Sequence, residues 1–348
     1  MAFKPRLHNN LFVSFAISML AGVAPISAQV QLTGAGATFP APIYQKWFSD
    51  YQSVKSDVQI NYQPIGSGGG IKNVTEGVVD FGASDGPMTD EQLKAYEGKH
   101  GSPILHFPTV LGAAVPTYNV PGVTAELNFT PEALAGIFLG KITKWNDPAI
   151  KKANPGVNLP DLNIIVAHRS EGSGTTYCWT DYLSKVSPEW KSKVGKNTSV
   201  QWPVGLGGKG NDAVAAIVKQ QNGAIGYVEL IYAIRSHLAY GKVQNKAGKF
   251  IKADLNSVTA AAASVANNMP ADFRVSITDA PGAAAYPIST FTWLLIPSQI
   301  PDAQKRQALV GFLKWAITKG QPEVESLEYA RLPAPVVSQE QAAIGKIK

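Results

Sequence analysis

The chain has 348 residues, 31 basic against 25 acidic side chains, a formal charge of +6 and one cysteine. The surplus of positive charge is small and spread along the chain. It lacks the clustered stripe that neutralises a phosphate backbone, so nucleic acid is excluded as an expected partner. Cys178 stands alone, which excludes an intramolecular disulfide, and a chain this long can fill a core without one.

In chain order, residues 1–28 read as a secretory leader. Lys4 and Arg6 precede an apolar run over 11–23, and "PISA" ends in small residues with Ala28 at the expected cleavage point. The run is too short to span a bilayer, and no cysteine follows it to take a lipid. Lys4 and Arg6 leave with the leader, so 320 residues at +4 remain. That mature chain is expected to be exported, soluble, free of stable membrane insertion and long enough for two domains. Strand patterns at 58–66, 78–84, 104–120, 163–169, 224–230 and 291–297 alternate with helix patterns at 40–54, 130–140, 176–186, 211–221 and 302–320. Such alternation predicts an α/β architecture with largely parallel sheets.

Three places share one local grammar: "GAGATFPAP" (34–42), "IGSGGGIK" (65–72) and "RSEGSGTTY" (169–177). Each runs from a strand-like segment through small residues into a helix start. Free N–H groups and the helix dipole suit such a start to an anion, and glycine lets the backbone come close. One such turn is ordinary capping; three in one exported chain predict a shared oxyanion site. Arg169 would supply a planar fork for a tetrahedral oxyanion, and Glu171 would hold that fork. "DFGASDGP" (80–87) adds Asp85, which would repel an anion unless the anion carries a proton. A carboxylate accepts a hydrogen bond from protonated phosphate, whereas fully ionised sulfate has no proton to give.

These segments, with "IFLGKITKWNDPAI", "VGLGGKGND" and "GAIGYVE", resemble the periplasmic phosphate-binding proteins of high-affinity ABC phosphate transporters, from about residue 33 to about 333. The resemblance implies a two-lobed periplasmic binding protein, each lobe a mostly parallel sheet flanked by helices. It would take inorganic phosphate in the interlobe cleft and deliver it to a transmembrane permease, with neither cofactor nor metal. It also implies lobes built from 29–110 plus 288–348 and from 111–287. The implied phosphate contacts are Thr38, Phe39 through its N–H, Ser67, Asp85, Arg169, Ser173, Gly174 and Thr175, with Glu171 behind Arg169. Two positions depart from the family pattern: Glu171 stands where aspartate is usual, and Gly68 where serine often is.

Three rival chemistries are weighed against the same residues. Neither Ser67 nor Ser173 fits G-x-S-x-G, and the histidines give no local support to a triad. "GLGGKG" (205–210) matches G-x-G-x-x-G, with Glu229 about twenty residues on, but reads better as a glycine turn between strand and helix. There is no H-E-x-x-H or Cys/His cluster to hold a metal, which disfavours a secreted phosphatase. Cys178 reads as a small buried hydrophobe. Another tetrahedral oxyanion, such as sulfate or molybdate, is the remaining alternative, and Asp85 argues against it.

Overall fold

The computed structural model describes residues 1, 2, 4 and 29–348. The apolar run and the Ala28 cleavage point of the expected leader lie outside the described residues. In chain order the strands are β1 (Val30–Gly36), β2 (Val58–Gln63), β3 (Phe81–Ser84), β4 (Ile104–Asn119), β5 (Asn128–Phe129) and β6 (Ile165–Arg169). They continue with β7 (Leu206–Gly208), β8 (Ala224–Glu229), β9 (Ala239–Tyr240), β10 (Lys242–Gln244), β11 (Phe250–Ile251) and β12 (Ser289–Pro297). A nine-stranded sheet runs β2-β1-β3-β12-β4-β8-β6-β7 with β9 beside β4, and a small sheet runs β11-β10-β5.

β1 pairs in parallel with β2 and β3, and β6 pairs in parallel with β7 and β8. The parallel pairs are joined by helical crossovers, among them Ala41–Val54, Ser67–Thr75 and Gly210–Gln220. Between the two parallel groups lie β12 and β4, antiparallel to their neighbours. β4 is sixteen residues long and buried almost throughout, which is why its sequence is a continuous apolar run without alternation. It pairs with β12 as far as Ala113 and with β8 from Ala114 onward, so one strand serves both halves of the sheet.

Each half has its own aromatic core. Tyr44, Phe48, Tyr62, Phe81 and Phe312 meet in tilted and edge contacts on one side. Trp179 and Trp202 stack on Tyr227 on the other, with Phe138 tilted against Trp179. The helix expected over 302–320 stops at Ala316, and the chain then turns so that the Gly320 carbonyl accepts from Trp47 Nε1 at 2.9 Å. Helix Asp90–His100 was missed by periodicity because it buries only Tyr96; its signal is the Thr89–Gln92 capping box. Among the described residues no helix is long and apolar enough to cross a membrane.

Candidate functional site

Most helices here begin on a side-chain cap. Thr89, Thr130, Asp147, Ser187, Asp254 and Asp302 each accept an N–H from the first turn of their helix. The helices beginning at Ala41, Ser67 and Gly210 lack that bond, because Pro40, Gly66 and Lys209 provide no such cap. No cap of their own takes their first amides, and some of these bond across the site instead, Gly68 N to Gly172 O and Gly210 N to Glu171. A fourth helix, Gly174–Val186, is capped by Ser173, whose Oγ accepts from Thr176 N at 3.1 Å and retains its own hydrogen.

Side chains tie these four helix starts together. Asn211 Nδ2 donates to Thr38 Oγ1 at 2.9 Å and to Thr175 Oγ1 at 3.4 Å. Ser67 Oγ accepts from Gly174 N at 2.9 Å and from Asp85 N at 3.3 Å. The Thr38 carbonyl accepts from the Tyr232 hydroxyl at 2.5 Å, and the Phe39 carbonyl from Tyr329 at 2.6 Å. A trans peptide sets C=O and N–H on opposite sides, so the first of these bonds turns the Phe39 N–H away from Tyr232.

Arg169 ends β6 and is 3% exposed. Its Nη1 donates to Thr175 Oγ1 at 3.3 Å, while Nε at 2.9 Å and Nη2 both donate to Glu171 Oε1. The same Oε1 accepts from Gly210 N at 3.0 Å. Glu171 thus locks the guanidinium from behind and leaves Nη1 on the Thr175 side. The glutamate pairs with Arg169 and also ties the start of helix Gly210–Gln220. Gly68 N donates to Gly172 O at 2.9 Å, and a Cβ on Gly68 would lie 3.0 Å from Gly172 Cα. Serine at that position would press on the opposing backbone.

Asp85 follows β3 and is 1% exposed. Burial pushes its carboxyl up to about 7, against the Thr292 hydrogen bond, the Arg169 charge and the Ser67 hydroxyl, which pull it down. Gly174 faces it: an added Cβ would lie 2.5 Å from Asp85 N and 2.6 Å from its Oδ2. Alanine at 174 is therefore expected to weaken oxyanion affinity at least about tenfold. Titration calorimetry checks the loss, with circular dichroism establishing that the fold is kept.

Thr38, Ser67, Asp85, Arg169, Glu171, Ser173, Gly174 and Thr175 thus form one linked, largely buried cluster, with Phe39 at its edge. Sequence reasoning missed Asn211, Thr292 and Gly210. The first and third lie in or beside the glycine-rich stretch read as a turn, which is the turn between β7 and helix Gly210–Gln220. Glu229, the would-be ribose ligand of a dinucleotide site, is buried and caps Ile231 N at 3.0 Å. His106 is buried, accepts from Met88 N at 3.1 Å and has its pKa lowered to about 3 by that burial. His168 stacks on Trp202, and His100 stacks on Tyr96. Among the described residues no histidine bonds Ser67 or Ser173, and no group of three or more His, Cys, Asp or Glu could hold a metal. Cys178 is buried, and burial raises its thiol pKa well above the usual range.

The profile of the PBP superfamily domain matches residues 23–319. The phosphate-binding protein PstS of Xylella fastidiosa is 45% identical over 315 residues, covering 90% of this chain and 84% of that one. PstS of Pasteurella multocida is 44% identical over 328 residues, covering 94% and 93%. Among solved structures, a phosphate-binding protein from Stenotrophomonas maltophilia superposes with a TM-score of 0.72 at 19% identity, covering 90% of this chain and 94% of that chain. That likeness bears on the fold alone. The two-lobed α/β architecture and the level of identity agree: the chain belongs to the PBP superfamily and, within it, to the phosphate-binding proteins of ABC phosphate transport.

Proposed function

We propose that this protein captures inorganic phosphate between two lobes in the periplasm and hands it to an ABC permease, making and breaking no bond. The lobes are 29–110 plus 288–348 and 111–287. The switch of β4 from β12 to β8 between Ala113 and Ala114 supports a crossing there, and the start of β12 at Ser289 supports the second. A leader cleaved after Ala28 delivers the chain to the periplasm.

Phosphate oxygens take hydrogen bonds from the Thr38, Ser67, Ser173 and Thr175 hydroxyls and from the Phe39 and Gly174 amides, the Gly174 N–H turning from Ser67 Oγ to the ligand. Arg169 supplies the positive fork. Asp85 accepts the proton that phosphate still carries. The observation that carries this reading is a buried carboxylate set among donors, an arrangement that repels any oxyanion lacking a proton. Ligands come from both lobes, so phosphate favours the closed state by its differential affinity. Small-angle scattering of the stripped protein checks the closure. The radius of gyration should fall when phosphate is added and stay put with sulfate; no change with phosphate would remove capture by closure.

A further inference from the structure

We propose that Thr292 is a positioning residue that keeps Asp85 a hydrogen-bond acceptor, and so sets the discrimination between protonated and fully ionised oxyanions. The inference rests on the phosphate-capture reading and adds a residue that touches no ligand.

Its basis is an irregularity in the sheet. Along β12 and β4, Thr292 pairs with Val110 but Trp293 pairs with Pro108, so Thr109 is an extra residue on β4. A bulge of this kind re-aims side chains beside a site. Here Thr109 Oγ1 donates to the Thr292 carbonyl at 3.2 Å and meets the Tyr44 hydroxyl at 2.8 Å. Thr109 and Thr292 are both fully buried. The Thr292 backbone is thereby held, and its hydroxyl donates to Asp85 Oδ1 at 2.8 Å. The other oxygen, Oδ2, lies against Gly174 at the helix start.

A hydroxyl has one hydrogen. While Thr292 donates to Oδ1, the position open to a proton on Asp85 is Oδ2, which on the phosphate-capture reading faces the ligand. Asp85 is then an acceptor for the ligand when ionised and a donor to it when protonated. Bonding to the charged form favours ionisation, so Thr292 holds the acceptor state down to lower pH. Tyr44, Tyr62, Tyr232, Tyr329, Cys178 and Glu229 also feel the Asp85 charge, and burial holds each towards its neutral form. The Arg169 guanidinium remains as the charge facing Asp85.

The test is sulfate affinity of the full mature protein from about pH 5 to about pH 9, because sulfate does not titrate in that range and its profile reads the proton on the protein. Phosphate affinity is measured alongside. In Thr292→Val and Thr292→Ala the pH below which sulfate binds should rise by about one unit, the value of one hydrogen bond to a charged group. At pH 9, above both midpoints, that is about tenfold tighter sulfate. Thr292→Ser keeps the hydroxyl and should keep the wild-type midpoint. Coincident midpoints in all variants, with wild-type selectivity for phosphate intact, would overturn the role of Thr292. A shift in Thr292→Ser as large as in the other two would reduce it to packing. Wild-type protein that does not select phosphate at any pH would instead sink the capture reading itself.

Discussion

Arg169→Ala is expected to weaken binding of every tetrahedral oxyanion by about a hundredfold to several thousandfold. The guanidinium is buried, already fixed by Glu171, and opposes an anion taken out of water. Removing one partner of such a buried charge pair costs about 3–5 kcal/mol, and each 1.4 kcal/mol is tenfold in affinity. The loss should fall on phosphate and sulfate alike, because the fork reads charge and shape rather than the proton. Arg169→Lys should recover only part of it, since an ammonium cannot keep both the Glu171 pairing and the Thr175 contact. Titration calorimetry across the variants checks the order wild type, Lys, Ala; intact phosphate affinity in Arg169→Ala would move the pocket elsewhere.

Asp85→Asn should act on selectivity instead. An amide can donate to an unprotonated oxygen, so sulfate is expected to gain affinity while phosphate loses an acceptor for its proton. The Kd ratio between the two should shrink by about ten- to a hundredfold, the range of one charge-assisted hydrogen bond. The wild type should show the same shift on acidification. Burial raises the Asp85 carboxyl to about 7, so below that pH it carries a proton and donates, and above it accepts. The sign for stability follows. A carboxyl raised above its unfolded value stabilises the fold at low pH and loses that contribution as pH rises through about 7. Ligand-free Asp85→Asn should therefore melt higher than wild type at pH 8, by at least about 2 °C, and equally at pH 4. Thermal unfolding at the two pH values checks this; equal melting at pH 8 would show that Asp85 is not desolvated.

Much of the fold was legible because its strands are short and apolar and its helices are spaced between them. β4 was readable as a single run over 104–120, but its division between two partners was not, since an unbroken apolar strand carries no mark of where its neighbour changes. The small β11-β10-β5 sheet was missed because strands of two or three residues are too short to show a period. At the site, glycine-rich turns before helices marked the segments 34–42, 65–72 and 169–177, within which the family resemblance implied Ser67, Ser173 and Thr175, and the charge logic of Asp85 and Arg169 is chemistry that residue types alone express. Asn211 and Thr292 act through contacts over 173 and 207 positions of sequence, and no local pattern announces them. Gly68 and Gly172 meet across the site in the same way, and only the fold shows what a serine at 68 would press against.

The central claim is a cradle that demands both negative charge and a proton. Calorimetric titration of phosphate and then sulfate tests it at pH 8, in mature protein stripped of ligand by unfolding and refolding. The account predicts tight one-to-one phosphate binding and no heat from sulfate. Equal binding of the two would contradict the role of Asp85, and no heat from phosphate in refolded protein would contradict capture altogether.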